Sequence, residues 1–138
     1  WLNPMHHLSR HEEALKVTGR FDQNWYPEET VHHHRWRWNR GSGDVELTNT
    51  TDGDLDVTLE LFGARAAPGP LQCRINQTVI FEGQCTDKPG LVLRQPVRLP
   101  PGVTRLMITT GTEGGFEDQA GRKLGFALYR LKVHLPSD

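Results

Sequence analysis

Only two cysteines, Cys73 and Cys85, occur in the 138 residues, too few for a structural zinc with four side-chain ligands or for a small fold stapled by several disulfides. No apolar run approaches the roughly 18 residues of a helical membrane span, so no direct span is expected. Charge of either sign is not in excess. Sixteen basic residues face 17 acidic ones, a formal net charge of −1, which removes the global field that would recruit nucleic acid or an acidic membrane. Six alanines are few for a helical protein. The catalytic signatures are missing too: no G-x-S-x-G elbow, Walker A loop, H-E-x-x-H pair or G-x-G-x-x-G turn is present. No catalytic residue, metal ligand or cofactor is therefore assigned, and catalysis is not the leading expectation. The start, Trp1-Leu2-Asn3-Pro4, has neither an initiating Met nor a signal-peptide pattern, as expected of a piece of something longer.

What is present belongs to a folded domain: hydrophobic residues make up 36% of the chain, beside 14 glycines and nine prolines that punctuate it. Ser9-Arg10-His11-Glu12 has capping-box spacing and, with Gly19 as a stop, predicts one short N-terminal helix. Residues 1–20 are read as a lead-in and 21–138 as the domain. From Thr30 onward the period is two. In Asp54-Leu55-Asp56-Val57-Thr58-Leu59-Glu60-Leu61 every odd position is apolar and every even one polar, a strand with one wet face. Seven more strands are expected near 30–39, 44–48, 71–75, 78–82, 91–99, 103–110 and 124–133. Residues 124–129 are apolar on both parities and are placed mid-sheet, and Pro96 is assigned to an edge or a bulge. Eight short strands without intervening helices predict an all-β fold, an antiparallel β-sandwich of jelly-roll type.

Cys73 and Cys85 allow two readings, a disulfide across the predicted Asn76-Gln77 hairpin or two separate thiols. His32, His34, Trp36 and Trp38 would share one face of a strand 30–39, and His33, Arg35 and Arg37 the other. Two histidines at i and i+2 can chelate a metal, but nothing supplies the third ligand a catalytic zinc needs. Asp52-Gly53-Asp54-Leu55-Asp56 lacks the twelfth-position Glu of a calcium loop and is read as a turn and the wet face of a strand. Asn49-Thr50-Thr51 and Asn76-Gln77-Thr78 match the glycosylation pattern, which matters only in a eukaryotic secretory setting.

Four tryptophans are the compositional oddity. Trp25, Tyr26, Arg35, Trp36, Arg37 and Trp38 form the candidate ligand-binding set, because indole faces stack on sugar C–H faces while neighbouring arginines bond hydroxyls. At least one of Trp36 and Trp38 is expected in the core, since sandwiches commonly bury a strand Trp. Glu28-Glu29 and Glu117-Asp118 are the carboxylate pairs a glycan hydrolase or lyase would use.

Trp25-Tyr26-Pro27-Glu28-Glu29, Arg35-Trp36-Arg37-Trp38 and a Gly turn into Asp44-Val45-Glu46-Leu47 resemble the opening of a poorly characterised bacterial β-sandwich module. Its ending resembles Arg122-Lys123-Leu124-Gly125-Phe126-Ala127-Leu128 with Tyr129 and a final strand, so the likeness runs over about residues 21–135. Such modules resemble carbohydrate-binding jelly rolls and are appended to glycosyltransferases or polysaccharide-related membrane proteins. The resemblance implies an accessory, glycan-contacting role beside a larger parent protein, on the outer side of a bacterial membrane or in the cell envelope, and supplies no catalytic residues. The competing expectations are a protein–protein interaction or spacer domain and a small glycan-active hydrolase or lyase.

Overall fold

The computed structural model describes residues 16–111 and 116–136. Twelve strands form in the described residues: β1 (Val17–Phe21), β2 (Glu29–Val31), β3 (His34–Trp38), β4 (Ser42–Asn49), β5 (Leu55–Arg65), β6 (Gly69–Ile75), β7 (Thr78–Cys85), β8 (Gly90–Leu99), β9 (Gly102–Thr109), β10 (Phe116–Glu117), β11 (Lys123–Leu124) and β12 (Phe126–His134). One sheet has the order β1-β4-β9-β6-β7, the other β2-β3-β12-β5-β8, and β10 and β11 pair separately. All pairings are antiparallel. The chain changes sheet between β1 and β2, β3 and β4, β4 and β5, β5 and β6, β7 and β8, and β8 and β9, which is how a jelly roll closes two layers over one core.

Alternation decides which face goes inward. In β5, Val57, Leu59 and Leu61 are buried while Asp56, Thr58, Glu60 and Phe62 point away from the core. Val45 and Leu47 of β4, Leu71 and Cys73 of β6, and Leu106 and Ile108 of β9 meet them from the opposite sheet, and Phe126, Leu128, Leu131 and Val133 of β12 join them from the same sheet. Pro96 sits on β8, which is an edge strand, where a missing N–H costs no ladder bond. β12 is central in its sheet, with Phe126, Ala127 and Leu128 all buried.

Two buried asparagines tie the layers together at their ends. Asn39 Nδ2 donates to Ile108 O of the first sheet at 3.0 Å, while its Oδ1 accepts from Gly41 N and from Phe126 N of the second sheet at 3.0 and 2.9 Å. Asn49 Nδ2 donates to Gly53 O and Leu99 O, both at 2.8 Å, and its Oδ1 accepts from Thr51 N and Oγ1. The Asn49 side chain is buried and its amide nitrogen occupied, so this glycosylation-pattern site is closed in the folded chain. The glycine of the Leu124-Gly125-Phe126 run has a steric cause. A Cβ there would stand 2.5 Å from Gly41 Cα and 2.6 Å from Asn39 Oδ1.

Several expectations are corrected. Residues 30–39 do not form one strand: His32 and His33 take φ of 50° and 71° and make a two-residue turn that pairs β2 with β3, Val31 opposite His34. Positive φ at both turn positions is the primed hairpin geometry, normally signalled by Asn-Gly, and histidine is among the few non-glycine types enriched there. The i, i+2 chelate geometry proposed for His32 and His34 is thereby lost. Gly19 does not stop a helix but lies in strand β1, opposite Leu47, and Val17–Phe21 pairs with β4 of the first sheet. The predicted helix cap at Ser9–Glu12 lies outside the described residues.

Cys73 and Cys85 are both buried and free. A bulge between Cys73 and Arg74 sets Cys73 opposite Phe81 and Cys85 opposite Gly69. The two therefore lie four residues apart along the ladder, roughly 13 Å by strand rise, where a bridge needs Cα atoms within about 7 Å. Burial pushes the Cys73 thiol up to about 12. Asp56 pairs with Arg98 at 2.9 Å, in keeping with a strand's wet face. Among the described residues, no group of three or more His, Cys, Asp or Glu comes together that could hold a metal.

Candidate functional site

The register of β3 on β12 sorts the aromatic segment. Leu128 lies opposite Arg37 and Ala127 opposite Trp38. Arg37 therefore shares the inward side of its strand with Leu128. Its guanidinium lies 4.4 Å from the Phe21 ring centroid and donates to Tyr26 O at 3.4 Å, and burial holds its pKa below the usual guanidinium value. Trp36 and Trp38 take the opposite, outer face and are half-buried there.

Trp25 behaves differently from the other indoles. It is 6% exposed, packs at 5.3 Å against Phe21, and donates from Nε1 to Asp44 O at 3.0 Å. A Cβ at position 43 would stand 2.5 Å from that nitrogen, so Gly43 opens the slot the indole fills. Among the described residues the buried tryptophan is thus Trp25, not Trp36 or Trp38, and it presents no face for a ligand.

Tyr129 completes the outer face through a bulge. Leu128 and Leu131 both point into the core, and the register slips between Leu128 and Arg130, so Tyr129 and Arg130 follow one another on the outer side. Tyr129 stacks on Trp36 with centroids 5.6 Å apart and planes at 25°. Arg130 stands opposite Phe62 of β5, its guanidinium 4.3 Å from that ring's centroid. Burial pushes the Tyr129 phenol above its ordinary pKa, so it stays neutral and keeps a hydroxyl that both donates and accepts.

These side chains line an open trough of about 600 Å³, within the usual range for small-ligand sites. Tyr129 and Phe62 supply the aromatic surface. The β2–β3 turn forms one wall with His33, His34 and Arg35, and Pro89 and Gly90 form the other. Arg130 lines the trough as well, its guanidinium over the Phe62 ring. No carboxylate lines the trough.

Of the six candidate residues, Arg35 reaches the trough, Trp36 backs it through Tyr129, and Trp38 lies farther along the same face. Arg37 and Trp25 turn inward. Tyr26 belongs to another cluster, where the guanidiniums of Arg40 and Arg122 lie 4.7 and 5.2 Å from its ring. Arg122 also bonds Glu29 at 2.9 Å and Asp118 at 2.8 Å. Each candidate carboxylate pair thus contributes one member to the same arginine. Arg122 holds the Asp118 carboxyl below its ordinary pKa, the reverse of what a general acid needs. Phe62, Tyr129 and Arg130 are absent from the sequence-derived set. Phe62 was legible as the next outward position after Glu60, whereas Tyr129 and Arg130 depend on the bulge.

No protein-family model and no curated protein sequence matches this chain. Solved structures do match its fold. A family 35 carbohydrate-binding module from Clostridium thermocellum superposes with a TM-score of 0.52 at 13% identity, over 83% of this chain and 90% of that one. The GH26-CBM35 β-(1,4)-mannanase of Podospora anserina gives a TM-score of 0.53 at 11% identity, over 89% of this chain and 28% of that longer one. The architecture is that of an antiparallel jelly-roll sandwich shared with carbohydrate-binding modules.

Proposed function

We propose that this chain is a non-catalytic accessory module that binds glycan in the trough on the outer face of the second sheet. A sugar ring rests against Tyr129 and Phe62, with Trp36 fixing the Tyr129 ring from behind and Arg35, Arg130 and the turn histidines bonding hydroxyls. The observation that carries this reading is the trough itself: concave, aromatic-floored and rimmed by donors, on a fold that family 35 carbohydrate-binding modules also use. The parent would be a larger bacterial envelope or glycosyltransferase-type protein, and the module would work on the outer side of the membrane. Among the described residues, no helix is long and apolar enough to cross a membrane.

Ring contacts of this kind contribute about 0.5–1.5 kcal/mol each beyond area burial, so one site should bind with a Kd near millimolar. The test is an NMR titration of the 15N-labelled chain with a panel of neutral and acidic oligosaccharides. The Trp36 indole N–H resonance should shift while that of Trp25 stays in place, and Tyr129→Ala should weaken binding about tenfold with the melting temperature retained. If no member of the panel moves any resonance, glycan binding is wrong and the interaction or spacer reading takes its place.

A further inference from the structure

The arginines of the described residues divide by partner. Arg20 and Arg105 bond Glu46, Arg94 bonds Glu60, Arg98 bonds Asp56, and Arg122 bonds Glu29 and Asp118. Arg37 and Arg74 donate to a carbonyl and to the Gln72 amide oxygen. Arg65 donates to Pro70 O. Among the described residues, Arg35, Arg40 and Arg130 have neither an ion pair nor a side-chain hydrogen bond; Arg40 lies over the Tyr26 ring away from the trough, whereas Arg35 and Arg130 both line it. Arg130 also has a buried Nε with no acceptor. In a chain whose 16 basic residues are nearly balanced by 17 acidic ones, leaving these two cations unpaired in one concavity without a carboxylate concentrates positive potential there.

The ring contact with Phe62 holds the Arg130 guanidinium over the sheet but satisfies none of its N–H donors. A guanidinium is a planar fork suited to a carboxylate, sulfate or phosphate, and charge-assisted hydrogen bonds are about twice as strong as neutral ones. A neutral sugar would bond the donors and leave the charge uncompensated. We propose that the ligand of this trough is an acidic sugar, whose anionic group is bound between Arg35 and Arg130 while its ring lies against Tyr129. The proposal rests on the glycan reading above and adds the charge class.

The test uses matched probes: trigalacturonate and its fully methyl-esterified counterpart, with a 6-sulfated and a 6-phosphorylated monosaccharide as separate arms to distinguish the anion. Calorimetry in low salt should show at least about tenfold tighter binding of one anionic probe than of a neutral one, and the difference should shrink as salt rises. Arg35→Gln, on an exposed position, and Arg130→Gln should each abolish most of the preference while residual ring binding persists. Equal affinity for acid and ester, unchanged by either variant, overturns the charge assignment and leaves glycan binding standing. An absence of binding by every probe, neutral or acidic, overturns both.

Discussion

Asn39 Oδ1 accepts the backbone N–H of Phe126 at 2.9 Å across 87 residues. One short side chain thereby fixes where the last long strand begins and, through Nδ2, binds that point to Ile108 of the facing sheet. The opening and closing segments meet here: Gly125 N donates to Asn39 O, Trp38 lies opposite Ala127, and Glu29 pairs with Arg122. The two runs that carried the family resemblance form one cluster in space, and they set the register that brings Trp36 against Tyr129.

Replacing Asn39 by Ala removes one donor and one acceptor and strands Ile108 O, Gly41 N and Phe126 N at a buried position. The expected loss is about 3 kcal/mol of unfolding free energy. Urea denaturation measures it, and a loss below about 1 kcal/mol would show that water replaces the amide.

Gly125→Ala forces a methyl onto Gly41 Cα and Asn39 Oδ1, and both neighbours are held by their own hydrogen bonds. A cost of about 3 kcal/mol or more, seen as a melting temperature lower by roughly 10 °C, is expected. Gly53→Ala, with nothing within 4 Å, should by comparison be nearly neutral.

The Cys73 thiol makes an alkaline prediction. Its folded pKa of about 12 lies above the 9.0 of the free group, so its contribution is complete below pH 9.0 and is lost as pH rises from there toward 12. Cys73→Ala should therefore lose less stability than the parent chain between pH 9 and 11. Labelling with a thiol reagent at pH 8 should be slow for both cysteines until denaturant is added, and non-reducing mass spectrometry should find two free thiols.

The Asp118–Arg122 pair makes an acid one. Arg122 lowers the Asp118 pKa, so the contact is intact above the ordinary 3.8 and is lost as pH falls through and below it. The protection factor of the Arg122 amide, which Asp118 Oδ1 accepts at 2.8 Å, should fall only as pH drops below the ordinary carboxylate value and, in Asp118→Asn, should be lower at every pH. The pair is solvent-accessible, so global stability should move little.

How far the fold could be read from the residues depends on how local its causes are. The β5 strand was legible because alternation is a property of neighbours in sequence, and Pro96 because a missing N–H restricts any sheet. Strand β1 was not, since Val17-Thr18-Gly19-Arg20-Phe21 carries too little alternation to outweigh a capping signal upstream. The His32-His33 turn was not, because histidine at positive φ is tolerated rather than demanded.

Residue order alone determined that this chain alternates, turns often and closes as two antiparallel layers, because period and punctuation act over a few residues. Only the tertiary structure decided which aromatic side chains face outward. One extra residue between Leu128 and Leu131 and one hairpin at His32-His33 depend on pairing with distant strands. Each such shift sends a side chain to the other face of its sheet, and that is what separates the buried Trp25 from the Trp36–Tyr129 stack.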